Sequence, residues 1–184
     1  READLLDTVN EEMQRLMQLI NDLLNFSRYQ NGLQKLTLAP CDINDLLEHA
    51  RARFAELANA QNIDLLVEAQ AQLPRLHADQ AQLERVLDNL LGNALRHTSE
   101  GGQIRLQARR HGERLIISVE DNGEGIAYGQ QGRIFEPFVQ VGRKKGGAGL
   151  GLALCKEIVQ LHGGRMGVYS RPGQGTQFYM ALPL

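Results

Sequence analysis

Apolar residues near the start of the chain recur with a helical period. Between residues 1 and 30 they alternate in steps of three and four positions: Leu6, Val9, Met13, Leu16, Ile20 and Leu23. This spacing is typical of the seam of a coiled coil or a narrow helical bundle. Asn31 and Gly32 favour helix termination and end the pattern. We therefore predict one long helix that packs its seam against another helix.

Two more helices and two short strands are predicted between residues 33 and 97. Residues 33–40 are predicted to be a short strand or an extended linker that ends at Pro40. Asp42 and Asp79 are candidate N-caps of the two helices, the second of which covers residues 80–97. Gln82 follows Asp79 by three residues, close to the spacing of a capping box. Residues 63–69 and 75–79 are strand candidates.

The apolar period changes from helical to alternating after residue 100. Apolar and polar residues alternate in 103–110 and in 113–121, on the two sides of a turn at His111–Gly112. They alternate in the same way in 165–170 and 176–182, on the two sides of a second turn. Alternation of this kind predicts hairpins with one buried face. The pattern predicts an α+β fold, a two-layer α/β sandwich. Its mixed, largely antiparallel sheet is covered on one face by helices and preceded by an N-terminal helical arm.

Composition narrows the classes of partner. The net charge of −2 gives no electrostatic support for a nucleic-acid partner. Cys41 and Cys155 lie far apart without zinc-ligand spacing, which favours reduced thiols but leaves one long-range disulfide open. No stretch reaches the length of an apolar membrane span. Because the chain begins inside a helical pattern without an initiator Met, we expect it to be a fragment.

A glycine-rich segment leads into the last helical pattern. Gly147, Gly149 and Gly151 alternate there, and a helix N-terminus with unpaired N–H groups favours an anion such as phosphate. The alternative is a flexible lead-in to an ordinary helix. The chain contains no Gly-Lys pair for a Walker A motif. A polar loop rather than a strand precedes the glycines, which argues against a Rossmann fingerprint.

Two other segments carry candidate ligand-binding groups. Asn89, Asn93 and Arg96 share one face of the predicted helix, where amide oxygens could serve Mg²⁺ and Arg96 could meet phosphate. The alternative is a solvated polar face. Asp121 ends a buried strand, where its carboxylate could accept a hydrogen bond from an exocyclic amine, and Gly123 and Gly125 would let the chain approach a flat base. Here the alternative is a plain turn.

Five motifs taken in chain order are far more specific than any one of them. They are Asn89–Thr98, Asp121–Gly125, Phe135–Phe138, Gly147–Leu152 and a Gly-x-Gly-Thr turn that ends at Thr176. At these residues the chain resembles the catalytic and ATP-binding domain of bacterial sensor histidine kinases, in the superfamily shared by gyrase, Hsp90 and MutL. The resemblance covers roughly residues 36–184.

The resemblance implies ATP and Mg²⁺ as ligands. It implies that Asp121 binds the adenine amine, that Asn93 coordinates Mg²⁺, and that Asn89 and Arg96 act on phosphate or metal-bound water. The other nucleotide-binding positions that it implies are His97, Gly123, Gly125, Ile126, Phe138, Gly147, Gly149, Leu150, Gly151, Leu152 and Thr176. Many relatives carry a Tyr-Arg pair after the Phe-Glu-Pro-Phe motif, where this chain has Val139 and Gln140. In this resemblance the loop before Gly147 is a lid over the ATP. We therefore expect Arg143, Lys144 or Lys145 to be the lid cation, the residue that contacts the γ-phosphate.

The resemblance also implies a domain division and partners. Residues 1–32 resemble the second helix of a dimerisation and phosphotransfer bundle, and residues 33–184 resemble the ATP-binding catalytic domain. His49, His77, His97, His111 and His162 all lack the setting of an acceptor histidine. The expected partners are an acceptor-histidine helix of the same protein, a response regulator receiver domain and a second copy in a homodimer. The expected location is the cytoplasmic portion of an inner-membrane sensor.

Other functions are possible for the same superfamily. One is an ATP-hydrolysing conformational ATPase, in which a glutamate one turn before the metal-binding Asn activates water. That position is Asn89 here, and an amide is no general base. An anti-sigma-type serine kinase and a nucleotide-sensing module are further alternatives. The residues favour a histidine kinase that donates the γ-phosphoryl group of ATP to a histidine on a helix absent from this chain.

Overall fold

The computed structural model describes residues 1–141 and 149–184. Its helices are α1 (Glu2–Gln30), α2 (Ile43–Ala60), α3 (Gln80–His97), α4 (Tyr128–Gln131) and α5 (Gly151–Leu161). Its strands are β1 (Ala39–Cys41), β2 (Asp64–Ala69), β3 (Leu76–Ala78), β4 (Gln103–His111), β5 (Arg114–Asp121), β6 (Arg165–Arg171) and β7 (Gly175–Pro183). The short helix α4 lies in a segment predicted to be a loop.

The main sheet has five strands in the order β2-β4-β5-β7-β6. β2 and β4 run parallel, and each of the other neighbouring pairs is antiparallel. This confirms the predicted mixed, largely antiparallel sheet. β1 and β3 form a separate antiparallel pair that the sequence did not predict, because strands of three residues carry too little alternation to show a pairing.

Helices α2, α3 and α5 cover one face of the main sheet. The alternation in β4 buries Ile104, Leu106 and Ala108 beneath them. Both predicted N-caps are confirmed: the Asp42 carboxylate accepts a hydrogen bond from the Asp45 N–H at 3.1 Å, and that of Asp79 accepts one from the Gln82 N–H at 3.3 Å. These caps fix where α2 and α3 begin, and α3 places its last turn at the end of β5.

Helix α1 contacts the helical layer near its C-terminal end. There the buried Tyr29 hydroxyl donates a hydrogen bond to Gln82 of α3, and the Gln30 amide donates one to Glu157 of α5 at 2.8 Å. Burial raises the pKa of Tyr29 to about 12, so its hydroxyl remains a donor at neutral pH. The predicted seam is exposed, and Leu16 is 56% accessible. Within the described ranges, no helix has the length and apolar character needed to cross a bilayer.

The two cysteines are free thiols. Cys41 and Cys155 are both buried in the core and do not form the long-range disulfide that the sequence left open. Burial raises the pKa of Cys155 to about 12, which keeps the thiol protonated and unreactive. We assign both cysteines a packing role.

Candidate functional site

A cleft opens where the end of α3, the end of β5 and the start of α5 meet. Seven of the residues predicted from the sequence to bind a ligand line it: Asn93, His97, Asp121, Gly125, Ile126, Leu152 and Thr176. Glu124, Val141 and Phe178 line it as well and were not predicted. The fold therefore gathers into one cavity residues that are separated by as many as 85 positions in the sequence.

Asp121 provides the buried acidic group of the cleft. It is only 6% exposed, and its Oδ1 accepts a hydrogen bond from the Gly123 N–H at 2.9 Å. Burial raises the pKa of the Asp121 carboxyl above its usual range, although hydrogen bonds from the Gly123 and Thr176 backbone and the nearby His97 act in the opposite direction. A carboxylate has about four acceptor sites, so it can accept a further hydrogen bond from a ligand.

Three glycines allow backbone segments to pass close to one another beside Asp121. A Cβ at Gly123 would lie 2.1 Å from the His97 carbonyl oxygen. One at Gly125 would lie 2.2 Å from that of Arg171, and one at Gly175 would lie 2.0 Å from that of Asp121. These distances are shorter than any real contact, so only glycine fits. The three glycines thus allow the backbone segments of the cleft wall to pack against one another.

Ser170 connects the two turns that form this wall. Its hydroxyl oxygen accepts a hydrogen bond from the Ile126 N–H at 2.8 Å and lies 2.9 Å from the hydroxyl of Thr176. The same hydroxyl donates to the Gly175 carbonyl at 2.9 Å. Gln131 of α4 donates to the carbonyls of both Ile126 and Ser170. Ile126 and Thr176 are thus held in place by a residue that the sequence did not indicate.

The last two turns of α3 present polar side chains to the cleft. The Arg96 guanidinium donates a hydrogen bond to Asn93 Oδ1 at 3.1 Å. His97 Nδ1 lies 2.7 Å from Glu124 Oε1, and both side chains are partly buried. Arg96 itself does not line the cleft but lies beside Asn93, which does. Asn93 and His97 are therefore the residues of α3 that face a ligand in the cleft.

Asn89 lies one turn earlier and faces the start of α5. A Cβ at Gly151 would lie 3.6 Å from Asn89 Oδ1, and the Cys155 thiol of α5 donates to the Val86 carbonyl of α3 at 3.8 Å. Leu150, immediately before the helix, is buried. Asn89 and Gly151 are thus next to each other at the N-terminal end of α5, where backbone N–H groups are unpaired.

Phe138 and Gly149 form a contact that flanks the cleft without lining it. The Phe138 N–H donates to the Gly149 carbonyl at 3.0 Å, and both residues have positive φ angles, +66° and +73°. Phe138 is 65% exposed and is not among the residues that line the cleft. Gly147 and the candidate lid cations Arg143, Lys144 and Lys145 lie outside the described residues.

The three cleft residues that were not predicted differ in how strongly the sequence indicates them. Glu124 stands inside the Asp-x-Gly-x-Gly motif and faces His97, so that motif could have indicated it. Phe178 lies two positions after Thr176 in β7 and is buried in the cleft wall. Val141 follows the predicted Phe-Glu-Pro-Phe motif and has no local signal.

The sequence of this chain matches a protein family over residues 78–184. The family is described as histidine kinase-, DNA gyrase B-, and HSP90-like ATPase. The match covers more than half of the chain, and the chain belongs to this family. Strands β4 to β7, the glycine turns and the buried Asp121 cleft lie within the matched residues.

Relatives place the chain among sensor kinases. It is 68% identical over 184 residues to the alginate biosynthesis sensor protein KinB of Pseudomonas aeruginosa, an alignment that covers all of this chain and 31% of that protein. It is 38% identical to the sensor histidine kinase RppB of Synechocystis, covering 98% of this chain and 40% of that protein. The chain thus spans about a third of the length of these relatives.

Solved structures agree with this placement. Full-length ShkA in complex with AMPPNP superposes with a TM-score of 0.90 at 35% identity, over 98% of this chain and 38% of that one. ThkA in complex with the response regulator protein TrrA gives 0.79 at 26% identity, over 97% and 50%. The chain contains the ATP-binding catalytic domain of a sensor histidine kinase. This finding favours the histidine kinase over the ATPase and serine-kinase alternatives.

Proposed function

We propose that the cleft binds ATP together with Mg²⁺ and that this domain donates the γ-phosphoryl group to a histidine on another helix. The observation that carries the proposal is the buried Asp121 carboxylate inside a cleft that Asn93 also lines, beside the first turn of α5. One end of this arrangement suits a base, and the other suits phosphates. The AMPPNP complex of ShkA supports the same assignment.

The residues at the inner end of the cleft fit an adenine ring. Asp121 supplies an acceptor for an exocyclic amine, while Ile126, Leu152 and Phe178 supply apolar surface in the cleft lining. Thr176, held by Ser170, adds a hydroxyl next to the carboxylate. A pocket with apolar walls and a few fixed polar groups is the usual environment for a base.

The residues at the outer end fit a triphosphate with its metal ion. ATP supplies the phosphoryl group, and bound Mg²⁺ offsets negative charge on the phosphate oxygens. Asn93 offers an amide oxygen to the metal, and Arg96, which lies beside Asn93 outside the cleft lining, offers charge to phosphate. His97, whose Nδ1 is paired with Glu124, offers its other ring nitrogen. Asn89 and the N–H groups of residues 150–152 would complete the phosphate site at α5.

Replacing Asn93 tests the metal assignment. We expect Asn93→Ala to remove most of the Mg²⁺ dependence of ATP binding, because the amide oxygen is the protein ligand in this proposal. Calorimetric titration with ATP in Mg²⁺ and in EDTA measures the difference. Asn59→Ala, an exposed asparagine on α2, is the control and should retain the full dependence. An Asn93→Ala protein that still requires Mg²⁺ as the original does would contradict the assignment.

We further propose that residues 1–32 belong to a dimerisation and phosphotransfer bundle, and residues 33–184 to the catalytic domain. The exposed apolar seam of α1, which includes Leu6, Leu16 and Leu23, supports this division. A second copy and the acceptor-histidine helix would cover the seam. A response regulator receiver domain would then accept the phosphoryl group, as the ThkA–TrrA complex suggests. The domain would lie on the cytoplasmic side of an inner-membrane sensor.

A charge placed in the seam should weaken self-association. Leu16→Glu introduces a carboxylate at the centre of the exposed apolar stripe, where pairing would have to desolvate it. We expect the unmodified chain to show a concentration-dependent rise in mass by light scattering, and Leu16→Glu to remain monomeric. Arg15→Glu, the adjacent position on the helix outside the seam, is the control. A monomeric unmodified chain across the whole concentration range would contradict the proposal.

A further inference from the structure

The second face of the main sheet is not covered by any of the described helices, and it carries a groove. Outward side chains from β2 to β6 line it, among them Glu68, Gln107, Ser118, Gln177 and Tyr179. Hydrogen bonds connect the first four: Gln107 donates to Glu68 at 3.1 Å, Ser118 to Gln107 at 3.5 Å, and Gln177 to Ser118 at 3.3 Å. The floor of the groove is therefore a fixed polar ladder that crosses four strands.

One end of the groove is an aromatic platform. The rings of Tyr169 and Tyr179 stack with their centroids 5.3 Å apart and an interplanar angle of 21°. Tyr179 lies flat over Gly167, since a Cβ at that position would be 2.3 Å from the tyrosine hydroxyl. Tyr169 is 67% exposed and forms the outer surface of the platform. Stacked tyrosines on a surface are typical of protein interfaces.

Beside the polar ladder, one row of paired residues carries an arginine at each end. The strand registers place Arg109, Ile116, Ala181 and Arg165 side by side across β4, β5, β7 and β6, and we call these four residues the arginine row. Both arginines are exposed, and within residues 1–141 and 149–184 neither forms an ion pair. Three strand spacings separate them, or about 14 Å.

The charge of this face differs from that of the chain. Its outward arginines are Arg105, Arg109, Arg114, Arg165 and Arg171, and its outward acidic residues are Asp64, Glu68 and Glu120. The face is thus net positive, whereas the whole chain carries −2. Glu68, the acidic residue within the groove, already lies 3.9 Å from Arg105 and accepts from Gln107. Among the described residues, Arg109 lines the groove without an ion pair, and Arg165 lies at the other end of the arginine row.

We propose that this face binds an acidic, extended segment of a protein partner, with two carboxylates placed on Arg109 and Arg165. Carboxylates four residues apart in an extended chain are separated by about 13 Å, which matches the row. Ile116 and Ala181, which lie between the two arginines, give an apolar surface for the side chain that stands between the two carboxylates of the segment. Guanidinium groups pair well with carboxylates, and the tyrosine platform supplies contact area. The groove lies on the sheet face opposite the helices that frame the ATP cleft, so this function is separate from nucleotide binding.

Nuclear magnetic resonance with synthetic peptides tests the proposal. The probe is the acetylated, amidated pentapeptide Glu-Thr-Val-Thr-Glu added to the ¹⁵N-labelled full chain. We expect saturable shifts of amides in β4–β7, and no such shifts with the Gln-Thr-Val-Thr-Gln peptide. The double variant Arg109→Glu/Arg165→Glu should bind the acidic peptide at least about tenfold more weakly. It should instead bind a Lys-Thr-Val-Thr-Lys peptide.

Two controls make the result specific. Arg28→Glu/Arg75→Glu changes net charge equally at exposed positions outside this face and should leave peptide affinity unchanged. All variants should bind ATP as the unmodified chain does, which shows that they fold and separates this test from the proposed function. The proposal is overturned if the glutamine peptide gives equal shifts or if both double variants lose affinity equally. It is also overturned if a ten-residue thymidine oligonucleotide binds the face more tightly than the acidic peptide.

Discussion

Asp121→Asn is expected to weaken ATP binding by about tenfold to a hundredfold. The amide replaces a charged acceptor with one oxygen and one NH₂ group, so the charge-assisted bond to the adenine amine is lost at a cost of about 1–3 kcal/mol. Calorimetric titration of the purified variant with ATP-Mg²⁺ measures the change. Glu120→Gln is the matched control: the adjacent residue points to the opposite sheet face, and its variant should bind ATP normally.

The same substitution should not lower the stability of the fold. Burial raises the pKa of the Asp121 carboxyl in the folded protein above its value in the unfolded chain. The group therefore stabilises the folded state at acid pH, and this stabilisation is lost as the pH rises through the pKa of the folded state. At neutral pH the ionised side chain therefore costs stability, and a neutral amide removes that cost. We expect the thermal midpoint of Asp121→Asn to equal or exceed that of the original. A variant with both lower stability and lower affinity would point to misfolding rather than to a lost base contact.

Gly123→Ala should destabilise the protein and disrupt the cleft. The new methyl group would lie 2.1 Å from the His97 carbonyl oxygen and 2.8 Å from its carbon, and both are backbone atoms that move only if α3 or the turn shifts. We expect a loss of about 2–3 kcal/mol in the free energy of unfolding. ATP affinity should also fall, since the Gly123 N–H orients Asp121.

Gly129→Ala is the matched control for this variant. Gly129 lies in α4, and a Cβ there would meet no atom within 4 Å. Alanine favours a helix over glycine by up to about 1 kcal/mol, so this variant should be as stable as the original or slightly more stable. Urea unfolding of both proteins gives the comparison. Equal stability of the two alanine variants would contradict the close packing of the Gly123 turn.

Local signals in the sequence were sufficient for most elements. The bounds of α3 were predicted correctly because a capping aspartate, an amphipathic stripe and a change of period all mark them. Helix α4 and the pairing of β1 with β3 were missed because four- and three-residue elements have no detectable period. Their formation depends on contacts with the rest of the fold.

The candidate site was predictable where motifs carry it and not elsewhere. Asp121 and Asn93 could be identified because an acid at a strand end and an amide on a helix face stand in recognisable spacing. Val141 and Ser170 could not, since each reaches the site through the folding of a distant segment. Phe138 was predicted to bind nucleotide, yet its ring is exposed and does not line the cleft, so this assignment stays a prediction.

Transfer of labelled phosphate tests the central claim most directly. The chain is incubated with γ-labelled ATP and Mg²⁺, alone and with a separate helix that carries an acceptor histidine, and the label is then tested for acid lability. An in-line nucleophile must be held within reach of the phosphoryl group, and the sequence predicts no acceptor histidine in this chain. His97, the one in the cleft, is held by Glu124. We predict acid-labile label on the supplied helix and none on this chain. Acid-labile label on this chain alone, or an unlabelled helix beside a chain that binds ATP, would contradict the account.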